Sequence, residues 1–133
     1  MTTIHEYVAE GRLSFHPVKN TLSYHQQKEE AKPYVRAFIQ ERAPRYLRHF
    51  EELLAANAQV HPASPFLVGS ALTTCDLNMW VMLCVTLHQF PDDDPLRDLP
   101  RLTALKAVVE TRPRINAYMQ SSRRRPFAGD SLM

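Results

Sequence analysis

The stretch Phe66-Leu67-Val68-Gly69-Ser70-Ala71-Leu72-Thr73-Thr74-Cys75-Asp76-Leu77 decides how this chain is read. Thr73 and Asp76 stand three apart where a helical apolar pattern begins. That is the spacing of a capping box: the Thr73 hydroxyl accepts from the Asp76 N–H, and the Asp76 carboxylate accepts from the Thr73 N–H. Asp stands where Glu or Gln is more usual, so the return bond requires a close approach. Leu72, just before the cap, and Leu77, at the fourth helical position, are the two members of a hydrophobic staple. Asp76 also places negative charge at the positive end of the helix dipole.

The helix started here runs through Leu77, Met79, Trp80, Val81, Met82, Leu83, Cys84, Val85 and Leu87, interrupted by Asn78 and Thr86 before His88. A helix apolar on every side is expected to be buried. It falls short of the about 20 apolar residues that a membrane span needs. We therefore expect one central, buried helix over Thr74–His88.

The surrounding composition narrows the class. A chain of 133 residues suits one domain with a real core. A net charge of +2, with no basic stripe and interleaved aromatics, gives no case for nucleic acid. The start Met1-Thr2-Thr3-Ile4-His5-Glu6 lacks the basic and apolar regions of a signal peptide. Cys75 and Cys84 fall on one predicted helix, roughly 13 Å apart along its axis, beyond the ~7 Å reach of a disulfide. Reduced thiols fit a cytoplasmic location, which we expect. Only 3 glycines occur, no run alternates like a strand, and the 10 prolines cluster near predicted helix ends. The reading is all-α.

Working outward, Thr2 or Thr3 caps a first helix on which Ile4, Val8, Gly11 and Phe15 recur at helical spacing. His16-Pro17 ends or bends it. A long helical pattern follows from about Gln26 to Ala56. Its apolar face carries Ala31, Val35, Phe38, Ile39, Tyr46, Leu47, Phe50, Leu53 and Leu54, with Arg42 the one polar member. Arg36, Glu41, Arg45, Arg48, Glu51 and Glu52 fall on the other face, and Glu41 and Arg45 are spaced to pair. Pro33 and Pro44 each remove a backbone bond, so a kink or a helix start is expected at one of them. Asn57 to Pro65 reads as a loop and Phe90 to Pro95 as a solvated turn. Asp98-Leu99-Pro100 starts a helix with the stripe Leu102, Leu105, Val108 and Val109. Pro113 starts a last helix with Ile115, Tyr118 and Met119 inward. Residues 1–121 make the domain and residues 122–133 a basic, mobile tail.

Few residues invite a chemical reading. The 6 histidines form no i, i+4 pair and no ligand set of known spacing, so no metal is expected. Asp92-Asp93-Asp94 lacks the spaced ligands and the glycine of a calcium loop and reads as a solvated turn. Arg123-Arg124-Arg125 reads as a charged tail. Cys75 lies in the first turn of a helix, where the dipole lowers a thiol pKa. Asp76 beside it opposes that, and we read Cys75 as structural. No Ser-His-Asp order, phosphate loop or carboxylate pair stands out.

The chain nonetheless resembles a known family. Leu67-Val68-Gly69, Leu72-Thr73 and Asp76-Leu77 resemble the start of the central helix in the C-terminal domain of cytosolic glutathione transferases. The family pattern there is apolar-apolar-Gly-x-x-apolar-Ser/Thr-x-x-Asp-apolar. Pro44-Arg45-Tyr46-Leu47, Phe50-Glu51 and Leu54 resemble its long second helix. Leu99-Pro100-Arg101-Leu102, Arg112-Pro113-Arg114-Ile115 and Tyr118-Met119 resemble its last helices. Together they cover nearly the whole chain in the family's order.

The resemblance implies a right-handed bundle of about five helices around the central one. It also implies a role. In that family an N-terminal thioredoxin-like domain binds and activates glutathione, and the helical domain walls a site for hydrophobic electrophiles and joins a dimer interface. The thioredoxin-like half is expected to be missing from this sequence, with Met1 near where the helical half would begin. No catalytic residue is assigned, and no cofactor is expected; glutathione would be a co-substrate only in a complete, detoxifying enzyme. By resemblance the first helix lines the electrophile cleft, and its candidates are Tyr7, Arg12 and Phe15. The expected partners are a thioredoxin-like domain, a second copy and small hydrophobic electrophiles, with no nucleic acid and no membrane. The alternative is a non-enzymatic docking module of the kind found in translation-factor and tRNA-synthetase assemblies.

Overall fold

The computed structural model describes residues 2–127, and every regular element in that range is helical. Helix α1 spans Thr2–Phe15, α2 Lys28–Ala37, α3 Ala43–Val60, α4 Thr74–Gln89, α5 Pro100–Glu110 and α6 Pro113–Met119. A 3₁₀ turn, Tyr24–Gln26, precedes α2, and a π-turn, Phe38–Arg42, joins α2 to α3 without a break. Counted as one rod, α2 to α3 is the expected long helix, and the bundle has the expected number of members.

The π-turn is the structural answer to Pro44. A proline inside a helix lacks an N–H and crowds the carbonyl four residues back. Here the chain widens just before it, and the Ala43 N–H reaches the Phe38 carbonyl. Pro33 stays inside α2. The widened turn also changes the phase of the side chains: among the described residues Glu41 and Arg45 form no ion pair, contrary to their spacing. The rod outlasts its expected end, since Asn57–Val60 is helical and not loop. Pro100 and Pro113 open α5 and α6, as their fixed φ favours.

The core is shared by four helices. Tyr7 of α1, Leu47 and Leu54 of α3, Met79 and Leu83 of α4, and Leu102, Leu105 and Val109 of α5 are fully buried. Each such leucine contributes about 1.5–3 kcal/mol relative to exposure. Helix α4 lies between α1 and α5, and α5 also packs on α3 and α6.

Three expectations about faces need correction. Helix α4 is not buried all round: Met79, Met82, Leu83 and Thr86 face the core, whereas Val81 is 50 % exposed. In α6, Ile115 packs against the core as expected, whereas Tyr118 points outward. Leu53, on the apolar stripe of α3, is exposed as well.

The opening stretch forms as its spacing predicts. Asp76, wholly buried, accepts from the Thr73 N–H (2.7 Å) and the Thr73 hydroxyl (2.8 Å), and the capping box closes. Its second oxygen accepts from the Leu67 N–H at 2.7 Å. Leu72 and Leu77 both pack against the core. Gly69 has a φ of +67°, where an L side chain is strained. Asn57 holds that turn from α3: its amide donates to the Phe66 and Gly69 carbonyls and its oxygen accepts from the Gly69 N–H, all within 2.9 Å.

Candidate functional site

Helices α1 and α4 leave an apolar groove of about 290 Å³ between them. Ile4, Tyr7 and Val8 line it from α1, and Val81, Met82 and Val85 from α4. The spacings are those of a single helix face on each side. His5 and Asn78 supply the polar edge. The half-exposed Val81 is therefore part of an apolar strip and not an isolated surface residue.

One buried polar pair sets the distance between the two walls. The Thr86 hydroxyl donates to the Met82 carbonyl at 2.9 Å, so its oxygen is left to accept from the Tyr7 hydroxyl at 2.7 Å. The Tyr7 ring packs on Phe38 and edge-on against Tyr46, at 5.3 and 5.7 Å between centroids. Burial pushes the Tyr7 hydroxyl up to about 12, with the Thr86 bond opposing the rise. It stays protonated at neutral pH and serves to join α1 to α4.

The three cleft candidates do not converge. Tyr7 borders the groove with its hydroxyl turned to Thr86. Phe15 is buried, packed on Tyr24 and Phe90 at 5.4 and 6.3 Å. Arg12 is exposed at the end of α1, where its carbonyl bonds with His16 Nδ1.

Two side-chain clusters fasten the walls from behind. Arg42 grips Glu10 with two hydrogen bonds, at 2.8 and 2.6 Å, and the Tyr46 hydroxyl donates to the same carboxylate at 2.8 Å. The Arg42 bonds hold the Glu10 carboxyl below its ordinary value, against some desolvation. Arg42, the polar residue on an apolar stripe, is thereby explained: it faces Glu10 across from α1. On the other side, Glu110 of α5 accepts from Lys106 (2.8 Å) and from Trp80 of α4 (3.2 Å). The Cys84 thiol lies 3.8 Å from that carboxylate, and burial first, then Glu110, push its pKa up. Cys84 is thus a packed thiol and a poor nucleophile. Cys75 is half-buried and likewise unpaired as a disulfide.

Two further residues went unnoticed in the sequence. Gln27, buried, takes the Val18 N–H on its oxygen (3.0 Å) and gives its amide to the Lys19 and Leu22 carbonyls. Glu51 of α3 accepts from the N–H groups of Arg101 and Leu102 at 2.9 Å each, capping α5 from a different helix. A Gln at a helix start and a Glu on a polar face carry no local signal of either role.

The arrangement of helices, the Thr73–Asp76 start and the proline-led α5 and α6 match a known domain in sequence as well. The model of the glutathione S-transferase C-terminal domain matches residues 14–122, from the end of α1 to just past α6. The chain belongs to this glutathione S-transferase family. A toad protein from Bufo bufo, glutathione S-transferase P 1, is 34 % identical over 89 residues, covering 65 % of this chain. The match takes in 40 % of the toad protein's length, so more than half of that relative lies outside it. In this transferase-family domain the α1–α4 groove combines α4, inside the matched segment, with the part of α1 that precedes it. Among the described residues no helix is long and apolar enough to cross a membrane.

Proposed function

We propose that this domain is the helical, substrate-side half of a glutathione transferase, working with a thioredoxin-like domain that supplies glutathione and activates its thiol. The observation that carries the reading is the α1–α4 groove: an apolar strip with Val81 half exposed, on a domain whose family is shown. Exposed apolar strips of this kind favour association or ligand binding. In the joined protein the groove meets the thioredoxin-like domain, and α1 contributes apolar wall to a site for hydrophobic electrophiles. Tyr7 supports that wall through Thr86. The complete enzyme conjugates glutathione to such electrophiles in the cytoplasm and forms a dimer.

Lowering the glutathione thiol pKa needs donors held at the sulfur. Those donors belong to the other domain, so the chain alone should neither bind glutathione nor conjugate it to a chlorinated dinitrobenzene above background. Clear turnover by the isolated chain would overturn the proposal. A second test reads the groove itself. Val81→Glu should leave the isolated chain's stability within about 0.5 kcal/mol, as for an exposed site. The same change should weaken a fusion to a thioredoxin-like domain, seen as faster proteolysis at the domain junction.

A further inference from the structure

A second groove, behind the π-turn, has a different chemistry. It lies between the start of α3 and the turn after α4, and encloses about 450 Å³. Ile39, Ala43, Pro44, Leu47 and Leu99 form an apolar lining. The π-turn lays Ile39 and Gln40 along one wall, and such turns recur at functional sites. Three carboxylates, Asp93, Asp94 and Asp98, stand on the rim against Arg48 and Arg97. Among the described residues only Arg97 is paired with a carboxylate; Arg48 keeps its charge, so three carboxylates stand against two guanidinium groups and the rim stays net negative. Arg97 pairs with Asp94 at 3.3 Å, and Arg48 Nε donates to the Pro44 carbonyl at 3.1 Å. Among the described residues no ion pair reaches Asp93 or Asp98, and both are exposed.

The complementary chemistry stands on the same chain. After α6 the backbone turns back, and the Phe127 ring stacks on His88 with centroids 5.0 Å apart and planes at 26°. Arg123, Arg124 and Arg125 lie between α6 and that stack. All three are exposed, and among the described residues none is in an ion pair. A segment tied at both ends loses less freedom on binding than a loose tail. Guanidinium groups also suit carboxylates better than any other cation of a protein.

We propose that the Arg123–Arg125 segment of one copy docks in the Asp93–Asp98 groove of a second copy. Charge complementarity selects the occupant. The arginines pair with Asp93 and Asp98 at the rim, and their methylene stems lie over the apolar lining. Because these pairs are exposed, the association is weak and is screened by salt. This contact is separate from the α1–α4 groove, whose apolar association salt would not weaken.

Sedimentation velocity on the full chain tests it, at about 20 mM and about 300 mM salt. The mean sedimentation coefficient should rise with protein concentration more steeply at low salt than at high salt, whereas any association through the apolar α1–α4 groove is the same at both. The pair Asp93→Lys and Asp98→Lys should lower the association constant about tenfold or more, as should the triple change Arg123→Glu, Arg124→Glu and Arg125→Glu. Mixing the two reversed variants should restore association between them, because one keeps the native segment and the other the native groove. A mixture of variants with the same number of charge reversals placed outside the groove and the segment should not associate, which separates the contact from the general attraction of opposite net charges. Circular dichroism checks that each variant stays helical. A chain that is monomeric at low salt overturns the proposal. So does salt-sensitive association that survives in either variant, or a mixture that fails to regain it.

Discussion

Two connectors in this domain are each organised by one buried polar side chain. Asp76 holds the loop before α4, and Gln27 holds the loop between α1 and α2. Asp76 reaches Thr73, three residues away, and then Leu67. Gln27 reaches back to Val18, Lys19 and Leu22. The chemistry is alike: a buried side chain satisfies backbone groups that a loop would otherwise leave unpaired. The difference is range. The Asp76–Thr73 bonds lie three positions apart and are prepared by helix geometry itself, whereas the bonds of Gln27 to Val18 and Lys19, like the one from Leu67 to Asp76, span eight or nine positions and exist only after the loop has folded.

That contrast can be broken at several points. Asp76→Ala should cost the most, about 3 kcal/mol, because it removes a cap and also orphans the Leu67 N–H. A loss of only about 1 kcal/mol in urea unfolding would mean that Asp76 acts on its own helix alone. Gln27→Ala should cost about 2 kcal/mol, since its partners are only partly shielded from water. Amide exchange should then accelerate at Val18 and Lys19 and stay unchanged at Leu67; acceleration at both loops would show that the two connectors are coupled. Glu51→Ala should cost about 1 kcal/mol, the worth of a cap, even though Glu51 belongs to another helix. Faster exchange at Arg101 and Leu102, with α3 unaffected, is the expected signature.

The smallest effect is a pH dependence. The Glu10 carboxyl is held below its ordinary value in the folded chain, chiefly by Arg42. Its stabilising contribution is therefore present above the unfolded value of about 4.3 and fades as pH falls through the lower folded value. Wild type and Glu10→Gln should accordingly differ in melting temperature at pH 7 and converge in acid. Equal melting temperatures at pH 7 would show that this exposed pair adds nothing to the α1–α3 contact.

The fold was legible where local rules apply. The capping box, the staple, the proline-led starts of α5 and α6 and the apolar stripes all depend on neighbours within one or two turns. The π-turn was half legible: Pro44 announced a disturbance, but not that the rod would widen instead of bending or breaking. The cleft candidates came only from the resemblance, and they separate in space, with Phe15 in the core and Arg12 on the surface. Periodicity places residues on one face of α1, yet it does not say which neighbour covers that face.

By itself the sequence determined an all-helical domain of a known family, assembled on the helix that Thr73 and Asp76 begin. Tertiary structure alone decided that Tyr7 is bound to Thr86, that Arg42 faces Glu10, that Glu51 caps α5, and that Val81 stays half uncovered. The physical reason is the same in each case. Helix starts and stripes are set by bonds and side chains within a few residues, while these pairings join segments more than thirty positions apart and appear only once the helices pack.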